Sequence, residues 1–284
     1  MKKIIVLLLS LLLITGCQNE EVSTKTAYAT YYPLEYATNY MYSSFAKVKS
    51  IYPNGIDTKS YELTEKQKGI YSNGVTFIYA GVTDEVKLAA EFLNANSNLN
   101  IIDGTKGLSF SNDVCELWLD PSNYLMIARN IKSTLIDYTS NVYDEEKIDK
   151  LYNELKIKIS EIDVELTMMG KNASRKNILV TDNIFNYLSK YNINVISIDN
   201  KNESNTKALN EAKKLINNKD LKYIYVLKGS TLSSETETFI KNYNLEKLEI
   251  DPMYTLTDDL RKDGHDYISV MMDNIAKFKT ELFR

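Results

Sequence analysis

The sequence predicts an α/β protein with two parallel-sheet α/β lobes, joined by one long linking helix, and a cleft between the lobes. Three observations predict this fold class. Segments with strand character alternate with segments of helical periodicity in both halves of the 284-residue chain. One apolar repeat at three- and four-residue spacing runs from about 144 to 169, between the two halves. Hydrophobic residues make up 44% and charged residues 25%, which is typical of a folded protein.

Residues 1–17 have the composition of a bacterial lipoprotein signal peptide. Two lysines precede an apolar run over 4–14, which is shorter than the roughly 20 residues that a membrane-spanning helix needs. The run ends in Ile-Thr-Gly-Cys at 14–17, which resembles a lipobox and implies that Cys17 is acylated and anchors the protein to the membrane. An ordinary signal peptide with an incidental cysteine is the alternative. Residues 18–26 are polar and predict a tether.

The N-terminal lobe is predicted to cover residues 27–140. Pro33 lies in the first turn of its first helix, where the missing N–H is harmless, and Pro121 begins its last helix in the same way. The strands are identified by β-branched and aromatic runs, and the helices by apolar residues that recur on one face. Strands are predicted at 27–31, 48–52, 75–80 and 99–102, and helices from 33, at 62–71, at 83–95 and from 121.

The linking helix is predicted within 141–171, and Gly170 supplies its stop. A coiled-coil seam for self-association is the alternative, but a crossing between lobes is favoured because the strand–helix alternation resumes directly afterwards, and we expect a monomer. The C-terminal lobe is assigned to 172–284. Its strands are predicted at 177–181, 194–198, 223–227 and 248–250, and its helices at 183–191, 204–217, 233–242 and 266–282.

Composition excludes several functional classes. One histidine, His265, and two cysteines, Cys17 and Cys115, are too few for Cys₄, Cys₂His₂ or His₃ zinc sites. A net charge of −4 gives no electrostatic footprint for nucleic acid. The chain has no nucleophile elbow, P-loop or dinucleotide fingerprint, so it is not expected to be an enzyme. Cys115 lies in a mostly apolar stretch and is interpreted as a structural thiol, and His265 as a solvated loop residue.

Four segments together resemble the substrate-binding lipoproteins of zinc and manganese ABC importers. The resemblance is carried by YATYYPLEYAT at 28–38, PNGIDTKSYEL at 53–63, ELWLDP at 116–121 and KNILVTDNIFNYLSKY at 176–191. It spans essentially all of 27–284 and implies a two-lobe fold, an ABC permease as partner and a divalent metal ion, Zn or Mn, held between the lobes. The resemblance therefore implies a surface-anchored receptor for metal ion transport.

The resemblance also locates four metal-ligand positions, and none of them holds a histidine. The first is occupied by Lys59 and the second by Glu116. The third falls on Thr181 or Asp182, depending on a one-residue gap, and the fourth falls near Thr255. Glu116 and Asp182 are therefore the candidate metal ligands. Three further aspartates lie close to the fourth position: Asp251, Asp258 and Asp259.

Three interpretations of this altered cleft follow. In the first, oxygen ligands still hold a divalent metal, and such a shell suits Mn²⁺ or Mg²⁺ better than Zn²⁺. In the second, the Lys59 ammonium takes the place of the metal and contacts Glu116 or the segment 181–182. In the third, the fold is retained for another small ligand or for a surface partner, as in a non-transport adhesin or interaction lipoprotein with a degenerate metal cleft.

Overall fold

A computed structural model of the chain describes residues 25–198 and 205–284. The predicted signal peptide, Cys17 and nearly all of the predicted tether lie outside the described residues. None of the described helices is long and apolar enough to cross a membrane. The strands are β1 Thr26–Ala29, β2 Lys47–Ser50, β3 Thr76–Tyr79, β4 Asn100–Asp103, β5 Asn177–Val180, β6 Asn194–Ser197, β7 Tyr223–Leu227 and β8 Glu246–Ile250.

The eight strands form two separate four-stranded sheets with the same topology. The first sheet has the order β2-β1-β3-β4 and the second the order β6-β5-β7-β8. Every strand pair is parallel, for example Ala27 with Val48 and Ile178 with Val195. Parallel neighbours need crossover connections, which the helices provide. The predicted fold class is confirmed.

The helices follow the predicted segments closely, with two short additions. Helices Glu116–Leu119 and Asp258–Lys262 were not predicted, because four or five residues are too few to establish a period. The helix predicted at 183–191 is a 3-10 helix. The α-helices are α1 Tyr32–Tyr42, α2 Glu65–Ser72, α3 Glu85–Ala95, α4 Glu116–Leu119, α5 Pro121–Asp137, α6 Val142–Asn172, α7 Asn205–Asn217, α8 Ser234–Asn242, α9 Asp258–Lys262 and α10 Tyr267–Leu282.

Side-chain caps explain several of the helix boundaries. Thr64 and Gln67 form a capping box at the start of α2, in which each side chain meets a backbone group of the other residue. Asp120 accepts a hydrogen bond from the backbone of Ser122 and starts α5, with Pro121 in its first turn. Each cap satisfies a backbone N–H that the helix itself leaves unpaired.

The long helix α6 has 31 residues and connects the two halves of the core. It packs against α1 and α5 of the first half and against α10 of the second. Seven residues form the apolar repeat of this helix; six of them are buried and the seventh, Leu151, is partly buried. The largest core cluster therefore contains side chains from both sheets, so that the two lobes share one hydrophobic interior. The buried positions are Ile148, Leu155, Ile159, Ile162, Leu166 and Met169.

Candidate binding cleft between the lobes

The strand order creates one switch point in each sheet. In the first sheet β1 lies between β2 and β3, so that the chain runs from β1 to its neighbour on one side and later returns to its neighbour on the other. In the second sheet β5 has the same position between β6 and β7. Ligands of open parallel sheets bind outside the carboxyl ends of the strands at such points. Tyr31 follows β1, and Asp182 follows β5. The region between these two residues is therefore the place where a ligand would be held.

The centre of this region is an ion pair between Lys59 and Asp113. The Lys59 Nζ atom lies 2.6 Å from Asp113 Oδ2 and 5.5 Å from the centre of the Tyr254 ring. Tyr254, which belongs to the C-terminal lobe, donates a hydrogen bond of 2.5 Å from its hydroxyl to Asp113 Oδ1. The ammonium and the carboxylate of the N-terminal lobe are thus in contact with the opposite lobe through one tyrosine.

Hydrogen bonds keep the Asp113 carboxylate ionised although it is mostly buried. Burial by itself would raise its pKa, but the backbone N–H of Cys115, the Lys59 ammonium and the Tyr254 hydroxyl all donate to it and hold its pKa below the usual range. The pKa of Lys59 is raised, because its hydrogen bond and attraction to Asp113 outweigh desolvation, with a smaller contribution from the negative charge of Asp182. Both groups are charged at neutral pH.

Cys115 forms part of the wall of this cluster. It is fully buried and unpaired. Burial, and next the neighbouring Asp113 carboxylate, raise the pKa of the Cys115 thiol well above its usual value. A thiol that stays protonated is a poor nucleophile and a poor metal ligand. The sequence-based interpretation of Cys115 as an inert thiol agrees with this environment, although its polar neighbours were not predicted.

The carboxylate of Glu116 does not meet Lys59. It accepts hydrogen bonds from the backbone N–H groups of Ser111, Asn112 and Asp113, at 3.1, 2.8 and 3.2 Å. Glu116 is the first residue of α4, and its side chain folds back to cap the loop that enters this helix. The contact of Lys59 with Glu116 or the segment 181–182 that the sequence predicts is not formed, because Glu116 caps this loop and Lys59 pairs with Asp113 instead.

The other predicted carboxylates have structural partners. Asp182 caps the 3-10 helix by accepting a hydrogen bond from the backbone N–H of Ile184 at 3.0 Å. Its negative charge contributes to the raised pKa of Lys59. Thr255 accepts a hydrogen bond from the Gly55 backbone of the opposite lobe at 3.1 Å. Three aspartates pair elsewhere: Asp251 with Lys228, Asp258 with Asn54 and Asp259 with Lys262.

Glu85 is a buried carboxyl that the sequence did not reveal. It lies at the start of α3, where Oε2 accepts from the Ala80 backbone at 2.9 Å and Oε1 from the Tyr52 hydroxyl at 3.0 Å. Burial raises the pKa of Glu85 to about 7, against the opposing effect of these donors. Tyr31 connects this carboxyl to the cleft, because its ring lies 5.0 Å from that of Trp118 and 6.2 Å from that of Tyr254.

Several hydrogen bonds hold the lobes together around the cleft. The fully buried indole of Trp118 donates to the carbonyl oxygen of Pro252 at 2.7 Å. The Tyr267 hydroxyl donates to the carbonyl oxygen of Trp118 at 2.6 Å. At the rim, Arg261 donates to both carboxylate oxygens of Glu35 at 3.1 and 2.8 Å. Hydrogen bonds therefore join the two lobes both in the buried interior of the cleft and at its rim, so the cleft is closed.

Histidine takes no part in the cluster described above. His265 lies in the loop before α10, with Nδ1 at 3.6 Å from Asp273 Oδ2. Over residues 25–198 and 205–284, no three His, Cys, Asp or Glu side chains converge closely enough to hold a metal ion. The closed cleft therefore holds an internal ion pair and no preformed metal cage in the described part of the chain.

Comparison with known proteins identifies the family. Residues 28–281 match the family of ZnuA, the periplasmic zinc-uptake complex component A. The chain belongs to this family. The resemblance inferred from the sequence is thereby confirmed, and membership gives an extracytoplasmic metal-binding receptor family instead of an enzyme family.

Individual relatives agree with this assignment. The zinc-binding lipoprotein AdcA of Streptococcus pneumoniae strain R6 is 23% identical over 308 residues, which cover 98% of this chain and 61% of AdcA. The chain thus spans about three fifths of that relative's length. Among solved structures, the metal-dependent lipoprotein YcdH of Bacillus subtilis has a TM-score of 0.74 at 18% identity, covering 92% of this chain and 100% of YcdH.

A second solved structure is the Zn(II)-bound ZnuA-like domain of S. pneumoniae AdcA. Its TM-score is 0.72 at 21% identity, and the alignment covers 92% of this chain and 99% of that domain. At these identities the two structures support the two-lobe fold alone. The residues of the cleft, including Lys59 and Asp113, must be interpreted from this chain.

Proposed function

We propose that this protein is the cargo receptor of an ABC importer, and that its cargo is a divalent cation bound between the lobes by Asp113 and Asp182. Family membership over residues 28–281 supports the receptor role. The observation that carries the cargo class is Asp113, because its ionised and mostly buried carboxylate already holds a cation, the Lys59 ammonium, at the interface of the lobes.

The chemistry of the site favours a hard cation. Its ionised donors are carboxylate oxygens, while the thiol of Cys115 is protonated and the single histidine, His265, lies outside the cleft in the loop before α10. Two carboxylates with water molecules completing the coordination suit Mn²⁺ better than Zn²⁺, which favours nitrogen and sulfur ligands. We therefore expect the site to bind Mn²⁺ and to prefer Zn²⁺ over it by less than a nitrogen or sulfur site would, and AdcA, the relative from S. pneumoniae, is named for zinc.

Calorimetric titration of the purified protein with Mn²⁺ and Zn²⁺ tests this proposal. The wild type is expected to bind Mn²⁺ saturably, and binding raises the melting temperature by mass action. Asp113→Asn should weaken binding by about tenfold or more, because a neutral amide replaces a charged ligand. Asp84→Asn is the matched control, since Asp84 is 91% exposed and pairs with Lys87. Absence of saturable binding by the wild type would refute the cation as cargo.

We also propose that the protein is a monomer anchored to the bacterial cell membrane through a lipid on Cys17. The lipobox-like sequence at 14–17 supports the anchor, and AdcA of S. pneumoniae is named a lipoprotein. Wild-type protein is expected in the membrane fraction of bacterial cells with acyl chains on Cys17 by mass spectrometry, and Cys17→Ser is expected in the soluble fraction. Equal partition of both proteins would contradict the anchor.

A further inference from the structure

Lys59 pairs with a carboxylate of the N-terminal lobe and lies near an aromatic ring of the C-terminal lobe. Its Nζ atom pairs with Asp113 of the N-terminal lobe at 2.6 Å. Across the cleft its Nζ atom lies 5.5 Å from the centre of the Tyr254 ring. A cation that engages both lobes in this way has the position that a bound cargo ion would have.

The two partners of this ion pair are held very differently. The Asp113 side chain is 13% exposed and is fixed by hydrogen bonds from the Cys115 backbone and the Tyr254 hydroxyl, at 3.0 and 2.5 Å. The Lys59 side chain is 64% exposed and belongs to the segment 51–64, which contains no helix or strand. The carboxylate is therefore rigid, whereas the ammonium can swing into solvent on its flexible stem.

The backbone at Lys59 is anchored independently of its side chain. The Lys59 N–H donates to Asp57 Oδ1 at 3.0 Å, and the Ser60 hydroxyl donates to Asp57 Oδ2 at 2.9 Å. The loop can keep its turn when the ammonium leaves Asp113. Departure of the side chain therefore does not require the loop to unfold.

We propose that Lys59 is a resident cation of the cleft, which neutralises Asp113 in the empty receptor and which cargo must displace. This inference rests on the proposed cargo class and adds the residue that sets its affinity and selectivity. A competing ammonium lowers the apparent affinity for every cation. Monovalent ions gain too little attraction from Asp113 to displace it, so that the cleft selects divalent cargo.

Substitution of Lys59 gives a direct test. Lys59→Met keeps the length of the stem but removes the charge, and we expect it to bind Mn²⁺ and Zn²⁺ at least about fivefold more tightly than the wild type in calorimetric titrations. Lys59→Arg retains the positive charge and should bind as weakly as the wild type. Lys87→Met is the matched control, because Lys87 is 79% exposed and pairs with Asp84.

The outcomes separate this inference from the proposed function. If the wild type binds no metal ion and Lys59→Met does, the resident cation is supported while the cargo assignment fails. If both bind with the same affinity, or if Lys59→Met binds more weakly, the resident cation is refuted and the cargo assignment stands. If neither binds, both are refuted. The fluorescence of Trp118, the single tryptophan of the chain, verifies that each variant is folded.

Discussion

Arg261 of the C-terminal lobe forms a bidentate ion pair with Glu35 of the N-terminal lobe. The two N–H···O distances are 3.1 and 2.8 Å, and the Glu35 side chain is 12% exposed. The guanidinium also lies 5.0 Å from the centre of the Tyr32 ring and donates to Asn54 Oδ1 at 3.0 Å. One side chain therefore joins helix α9 at the rim of the cleft to three residues of the opposite lobe.

Removal of this guanidinium should destabilise the closed protein. We expect Arg261→Ala to lower the free energy of unfolding by about 2–3 kcal/mol, because it leaves the mostly buried Glu35 carboxylate without its cationic partner. Urea denaturation measures the change. The neighbouring Lys262→Ala should cost less than about 0.5 kcal/mol, since Lys262 is 75% exposed and lies 3.7 Å from Asp259. Equal stability of both variants would contradict the role given to Arg261.

The hydroxyl of Tyr254 provides a second contact between the lobes. Tyr254→Phe removes the 2.5 Å hydrogen bond to Asp113 and should cost about 1–2 kcal/mol of unfolding free energy, because the acceptor is an ionised carboxylate. Tyr243→Phe on the outer surface of the second lobe is a suitable control, since the Tyr243 ring packs on Phe239. Thermal unfolding of both variants tests the difference, and an unchanged melting temperature for Tyr254→Phe would count against it.

Glu85 should make the stability of the protein depend on pH. Its pKa is raised from 4.5 to about 7 in the folded protein, so the folded state binds the proton more tightly than the unfolded state. The stabilisation is complete below about pH 4.5 and is lost as the pH rises through about 7. From pH 5 to pH 8 this group should cost the wild type about 2–3 kcal/mol.

Glu85→Gln removes this titration and should flatten the stability profile between pH 5 and pH 8, measured by urea denaturation. Glu91→Gln, in the same helix but with a side chain that is 48% exposed, serves as the control and should keep the wild-type profile. A wild-type stability that does not fall over this range would disprove the prediction.

Two helical glycines should respond in opposite directions to alanine. A Cβ atom on Gly170, in the last turn of α6, would lie 1.7 Å from the carbonyl oxygen of Tyr191. Gly170→Ala should therefore cost about 2–3 kcal/mol through forced displacement of backbone. Gly69 in α2 has no atom within 4 Å of the same position, so Gly69→Ala should stabilise the protein by about 0.5–1 kcal/mol. Chemical denaturation compares the two.

Most of the fold was predictable because it depends on periodicity. Strand Tyr223–Leu227 has the predicted bounds, and helix α6, Val142–Asn172, differs from the predicted range 141–171 by one residue at each end. The helix predicted at 183–191 has the predicted bounds, and its 3-10 type was not predicted because apolar spacing does not distinguish the two hydrogen-bond patterns over nine residues. Gly170 was predicted to end the linking helix. In the structure a glycine is required there because the Tyr191 backbone approaches it closely. No local sequence pattern reveals that contact.

The cleft was predictable only in part. A carboxylate partner for Lys59 was expected because the resemblance placed its ammonium at a metal-ligand position, whereas the side chain is 64% exposed in the structure. The identity of the partner depends on loop geometry, in which Glu116 turns back to cap three backbone N–H groups and Asp113 faces the cleft instead. Glu85 was missed because nothing in its sequence neighbourhood distinguishes it from an ordinary acidic residue in the first turn of a helix.

The cleft has a buried rear at the Trp118 indole and an exposed front at Lys59. At the rear, its hydrogen bond to Pro252 lies in a fully buried environment, where separation of the two groups would leave both without water or any other partner. At the front, the irregular segment 51–64 carries the exposed Lys59. We expect cargo to reach Asp113 past this exposed side chain and not through the buried hydrogen bond of Trp118.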